Sequence, residues 1–232
     1  MPPTDVLTGA PTGAPTGAAS LDAASLDAAS LDAASLDKAA AYRLLISLLI
    51  PRPIAWIGSR SADGVDNLAP FSFFMGVSAD PPLIAVSIAR GRGGRLKDTA
   101  RNVLETGAFS VSMVERPQLE AMHQTGADWP GPEFDAVGVR RLACDQIPCP
   151  RPAGARVALE CALHKADDLG STHLILGRVL RFHVDRALWR PDPTGAGGIV
   201  TLDGYDPVAR LGGDSYAALG AITALPRVKL PG

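Results

Sequence analysis

Apolar and polar residues alternate most clearly in two stretches. FSVSMV at residues 109–114 puts Phe109, Val111 and Met113 on one side of an extended chain. ARVALECALHKADDLGSTHLILGRVLRFHV predicts two long strands around a polar turn at 167–172. Shorter strands are predicted for IAWIGSRS and for PLIAVSIAR at 82–90. Between the first two, ADG at 62–64 signals a turn and VDNLAPFS resumes extended structure. The period changes in GGRLKDTARNVLETG, where Leu96, Ala100, Val103 and Leu104 recur at helical spacing and Gly107 provides a stop. RPQLEAMHQTG at 116–126 predicts a second helix. AAAYRLLISLLI predicts another, stopped by Pro51 and Pro53. Many strands and few short helices, without regular βαβ alternation, indicate a mainly β protein: an antiparallel barrel with peripheral short helices.

One segment fits neither period. NLAPFSFFMG, Asn67 to Gly76, carries three phenylalanines and no charge. Pro70 would interrupt a central ladder, so a regular inner strand is not expected there.

The N-terminal region is of another kind. Residues 8–17 repeat Thr-Gly-Ala-Pro, and residues 20–39 repeat Ser-Leu-Asp-Ala-Ala, with Lys38 closing the last copy. A five-residue step advances an α-helix by about 500°, so Leu21, Leu26, Leu31 and Leu36 spiral around it instead of forming a stripe. Residues 1–38 therefore read as a low-complexity tail, disordered or loosely helical, with a partner-binding arm as the alternative. The folded domain is expected over residues 39–232.

Composition narrows the function classes. Of 232 residues, 47% are apolar, enough for a substantial core. The net charge of −2 argues against a nucleic-acid surface as the main function. LLISLLI at 44–50 is too short to span a bilayer, and no basic region followed by an apolar run marks a secretory leader. The three cysteines, Cys144, Cys149 and Cys161, suit a reducing cytoplasm. Neither CxxC nor HxxxH spacing occurs, so no metal site is expected.

The most suggestive chemistry lies in GRGGRLKDT at 91–99. Arg92, Arg95 and Lys97 gather where a helix should begin, and a helix N-terminus offers free N–H groups and partial positive charge. With the Thr99 hydroxyl this suits a phosphate; the alternative is a solvated basic loop. The spacing matches neither a Walker loop nor a dinucleotide fingerprint. No GxSxG elbow supports a catalytic triad. His183 sits at a predicted strand end, where it could face a pocket or simply pack. RLGGDSY at 210–216 pairs a Gly-Gly turn with Tyr216.

Taken together, AYRLL, PRPIAWIGSRSADGVDNLAPFSFF, SADPPLIAVSI, GGRLKDTARNVLETGAFSVSMV, ALECAL, LILGRVLRFHVD and DPVARLGGDSYA resemble the flavin reductase-like family, the FMN-binding split-barrel proteins. The resemblance implies a six-stranded antiparallel Greek-key split barrel that forms a homodimer. It implies FMN as cofactor and NADH or NADPH as reductant. On the matching positions, Ala55, Trp56 and Ser59 become neighbours of the flavin. Asn67, Ala69, Pro70, Phe71, Ser72 and Phe73 become its wall, with backbone groups of Asn67, Ala69 and Ser72 at the polar edge of the ring. Ser87, Arg92, Lys97, Asp98 and Thr99 hold the ribityl phosphate. His183 and Tyr216 become pocket residues, with no catalytic side chain assigned. Met75 departs from the family pattern. The implied function is an NAD(P)H-dependent flavin reductase serving a partner such as a flavin-dependent monooxygenase. A non-enzymatic FMN electron carrier, or a split barrel binding another ligand, is the alternative.

Overall fold

Two strands that follow each other in the chain lie at opposite edges of one sheet. The computed structural model describes residues 30–195 and 197–228. Its main sheet uses β1 (Ala55–Arg60), β2 (Asp66–Phe71), β3 (Phe74–Ala79), β4 (Pro82–Ala89), β5 (Ala108–Met113), β6 (Val157–Asp168) and β7 (Thr172–Val184). These seven strands run in the order β2-β1-β5-β6-β7-β4-β3, and every pairing is antiparallel. In a flat sheet the two edges would stand roughly 29 Å apart. Only Ser72 and Phe73 join β2 to β3, and that link reaches about 11 Å. The sheet must therefore curl until its edges meet. Counted as one broken strand, residues 66–79 make the barrel six-stranded, and the break is the phenylalanine segment.

Pro70 lies inside β2, opposite Trp56. The strand is tolerated because β2 is an edge. The Leu68 N–H donates to Glu133 Oε2 at 3.0 Å, away from β1. In an antiparallel ladder inward- and outward-facing pairs alternate. Pro70 thus shares the outward parity of Leu68, where no ladder donor is needed. β3 was not visible as a strand in the sequence. Its side chains from Met75 onward are exposed, so no alternating burial marks it.

The barrel interior holds Ala55, Ile57, Ile84, Val86, Ile88, Phe109, Val111, Cys161, Ile175 and Val179. Helix α2 (Asp98–Thr106) adds Ala100 and Val103 to the same cluster. Its stop is the expected one: Gly107 has φ 71° and donates its N–H to Val103 O. The β6–β7 hairpin matches its prediction, with two bulges in its register. β5 does not match in one respect. Ser110 and Ser112 are as buried as Phe109 and Val111, because the outer face is covered too, by the segment at 144–152 over Ser110 and beside Trp56 of the second core at Ser112. Ser110 donates to Pro150 O at 2.8 Å. A Cβ on Gly58 would stand 2.2 Å from that same carbonyl, so only glycine allows the approach.

A second core packs Ile54, Trp56, Leu68, Val114, Met122, Phe134 and Val208 beneath α3 (Leu119–Gln124) and α4 (Glu133–Ala136). A small sheet of Arg52–Pro53, Val208–Arg210 and Tyr216–Ala218 closes this side. Helix α1 (Lys38–Leu48) begins at Asp37, whose carboxylate accepts the Ala40 N–H at 2.7 Å. None of its residues is buried. Most of the predicted tail, residues 1–29, falls outside the described residues. No described helix is long and apolar enough to cross a membrane.

Candidate functional site

The break between β2 and β3 opens onto a cleft with three lobes, and Phe71 and Lys97 line all three. The first, about 430 Å³, lies between α1 (Lys38, Tyr42, Leu45) and the run Pro70–Phe73, with Ser87, Ser171 and Thr172 at its floor. The second, about 510 Å³, runs from Pro70 and Phe71 to His123, Gly126, Arg210 and Tyr216. The third, about 290 Å³, follows the loop Gly91–Thr99 and includes Asn67, Ala69, Arg92, Arg95 and Glu133.

The basic loop is built for exposure. Gly93 and Gly94 take positive φ, and Arg92, Arg95 and Lys97 stand open to solvent. α2 itself begins three residues after Arg95, with Lys97 as its N-cap. Among the described residues these three cations have no ion-pair partner, whereas Arg90 is tied to Asp168 and Asp98 to Arg101, each at 2.6 Å. The Lys97 ammonium lies 5.9 Å from the centre of the Phe71 ring. An apolar plate, free cations and a helix N-terminus thus meet at one point.

The neighbouring polar residues hold this arrangement in place. Asn67 donates to Thr99 Oγ1 at 2.8 Å and to Ser59 Oγ at 3.3 Å, and Asn102 donates to Ser59 Oγ at 3.2 Å. This network ties β1 and β2 to the first turn of α2. Arg52 caps the end of α1 through Ile46 O and Leu49 O at 2.6 and 2.8 Å, and reaches Ser72 Oγ at 3.3 Å. Burial pushes the Arg52 pKa down from the usual arginine range. The Trp56 indole donates to Thr125 Oγ1 at 2.9 Å, which fixes the end of α3 beside the cleft. On the rim, His123 Nδ1 and Tyr216 OH stand 3.0 Å apart, and the Arg210 guanidinium lies 4.5 Å from the Tyr216 ring centre.

Apart from His183, the expected site residues sort into three groups. Ala69, Pro70, Phe71, Ser72, Phe73, Ser87, Arg92, Lys97, Asp98 and Tyr216 line the cleft. Ala55, Trp56 and Ser59 do not line these lobes; they are buried to 1% exposure or less and act behind the wall. Asn67 and Thr99 border the third lobe, but their side chains are engaged with each other. The strand parity also reassigns the backbone. Asn67 and Ala69 point their N–H and C=O groups at β1, and the outward carbonyl is that of Pro70.

His183 belongs to a separate cluster. Its Nε2 stands 2.6 Å from Glu160 Oε1. The Glu160 carboxylate also accepts the Asp145 and Gln146 N–H groups at 2.8 and 2.6 Å. Burial pushes the Glu160 pKa up, but these donors and the His183 ring outweigh it and hold the carboxyl below the usual range. Asp145, Glu160 and His183 offer donor atoms within 4.8 Å of one another. Glu160 already has its partners, so the cluster reads as a clamp between β6, β7 and the covering segment. Burial also lifts the Cys144 and Cys149 thiols to about 12, which makes them poor nucleophiles.

Tyr42, His123 and Arg210 also line the cleft, and sequence reasoning had assigned none of them a site role, although it quoted the stretches that hold Tyr42 and Arg210. Tyr42 sits on a helix read from its apolar run and from the family resemblance, neither of which pointed to its side chain. His123 and Arg210 lie 87 positions apart, and only the small sheet brings them together.

Residues 47–192 match the protein family described as the flavin reductase like domain. An uncharacterised protein of Aquifex aeolicus is 36% identical over 177 residues, 75% of this chain and 88% of that protein. Among solved structures, nitrilotriacetate monooxygenase component B from Bacillus cereus superposes with a TM-score of 0.79 at 33% identity, covering 87% of this chain and all of the other. The 2-nitrobenzoate 2-nitroreductase NbaA of Pseudomonas fluorescens gives 0.78 at 29% identity, covering 88% of this chain and 99% of the other.

Proposed function

This chain belongs to the flavin reductase-like family, and on that premise we propose that it binds FMN in the Phe71–Lys97 cleft and reduces it with NADH or NADPH. The observation that carries the reading is the convergence of three unpaired cations, the α2 N-terminus and an aromatic plate on one elongated cleft. Those residues fit an aromatic ring system linked to a phosphate. When bound, the flavin supplies the redox chemistry. The chain's own residues bind and orient. Pro70 and Phe71 form one wall and Tyr42 the other, while Arg92, Arg95 and Lys97 hold the phosphate. The outward carbonyl of Pro70 offers an acceptor to a ring N–H. The rim of His123, Tyr216 and Arg210 offers an aromatic edge and a cation to the incoming nicotinamide nucleotide.

The reduced flavin, or its electrons, then passes to a partner. The likeness to a monooxygenase component B supports a flavin-dependent oxygenase in that role. Three free thiols suit work in a reducing cytoplasm. The reading includes a homodimer. α1 and the two residues after it leave Leu45, Leu48, Leu49 and Ile50 exposed while α1 also forms one wall of the cleft, and a second copy would cover that strip. At the end of the low-complexity stretch, Asp37 caps α1 and Lys38 reaches the cleft.

The test is an anaerobic titration of the FMN-loaded protein with NADH and with NADPH, followed at the flavin absorbance bands. Rapid bleaching by one nucleotide is the expected result. A yellow protein that ignores both nucleotides overturns the reductase and leaves an electron carrier reduced by another protein. Failure to take up FMN overturns both.

A further inference from the structure

The cleft continues past the basic loop. A further cleft of about 540 Å³ shares Asn67, Asp98, Arg101 and Glu133 with the third lobe, so the two join over the first turn of α2. Its walls are the β1–β2 turn at Ser61–Val65, the outer side of α2, and the segment Trp129–Glu133. Trp129 is 41% exposed, and its indole N–H is anchored to Gln124 O at 2.9 Å, so an aromatic surface is held in place at the cleft. At the back stands Asn102, 1% exposed, whose Oδ1 has no hydrogen-bond donor.

The charges here are already sorted. Asp66 is paired with Arg60 and Arg141, and Asp98 with Arg101. Glu133 accepts the Leu68 N–H, and burial holds its carboxyl above the usual range. Among the described residues, the carboxylates here without a partner are Asp63 and Glu105, both exposed. Beside the cations of the basic loop the joined clefts thus offer free carboxylates and an aromatic plate. These groups suit a pyrophosphate, a ribose diol and a purine respectively.

We propose that the Trp129 cleft takes the adenosine end of a flavin dinucleotide, so that the protein binds FAD more tightly than FMN. The inference rests on the flavin reading of the Phe71–Lys97 cleft, and FAD would extend from its phosphate. The other cleft ligand suggested by an aromatic plate beside carboxylates, a free organic cation, would not favour FAD over FMN.

The experiment measures FMN and FAD dissociation constants by flavin fluorescence for the full chain and for Trp129→Ala and Trp129→Phe. One stacked base is worth roughly tenfold in affinity. FAD should bind at least that much more tightly than FMN. Trp129→Ala should abolish the difference while leaving FMN binding unchanged, and Trp129→Phe should restore most of it. Free adenosine should compete with FAD and not with FMN. Equal affinities for the two flavins, or equal weakening of both by Trp129→Ala, overturns the inference while the FMN site stands. Binding of neither flavin overturns the reading beneath it as well.

Discussion

Lys97 occupies the position on which the whole reading turns. It caps α2, lies against the Phe71 ring and lines every lobe of the cleft. A charge-assisted contact to a phosphate contributes about 1.5–3 kcal/mol. Replacing Lys97 and Arg92 with Ala should therefore weaken FMN by about a hundredfold or more and riboflavin by less than about threefold. Equal weakening of the two ligands would show that the loop holds no phosphate. Position 97 was readable from the sequence, because a cation beside glycines at a helix start has few local uses. Ser59 and Asn67 were read as flavin contacts and prove to brace α2. A hydroxyl or amide on a strand looks the same in sequence whether it faces a ligand or another side chain.

Elements are joined by a second kind of contact. Glu115 follows β5 and is clamped by Arg156, which precedes β6; Arg156 Nε stands 2.8 Å from Oε2. The Asp206 N–H reaches the same carboxylate at 3.1 Å and brings in the 204–206 segment. The Arg156 hydrogen bonds hold the Glu115 carboxyl below the usual range, against the opposing effect of burial. A group depressed in the folded state stabilises above its unfolded pKa, roughly 4.3, and loses that contribution as the pH falls through the folded value. Melting temperature should thus decline below about pH 4.5 in the natural protein. Glu115→Gln should cost about 1–3 kcal/mol at pH 7 and flatten that decline. An unchanged acid limb in the variant would count against the clamp. At this scale the hairpin and α2 were legible because their periods are long and uninterrupted. β3 was not, since an exposed edge strand shows no alternation. The burial of Ser110 was also hidden, because the covering segment lies some 40 residues further on.

For the whole molecule, the open question is what covers α1. A helix with no buried residue gains little from packing in a single copy. Leu48 is 72% exposed, so Leu48→Glu should leave the monomer fold intact and shift sedimentation from dimer to monomer. Because α1 also walls the first lobe, FMN affinity should fall with it. A monomeric natural protein at micromolar concentration would remove the homodimer.

Local chemistry, readable from the residues in order, determined where helices start and stop, which runs are extended, and that a basic loop opens α2. The quoted segments were also enough to place the chain in its family. The tertiary structure decided the rest. It set which face of each strand is covered, which backbone groups on β2 face outward, and which distant side chains share the cleft. Pro70 illustrates why. Proline in a strand is excluded or harmless according to whether a neighbour needs its missing donor. That depends on the strand's place at the sheet edge and on its register with β1, which only the tertiary structure establishes.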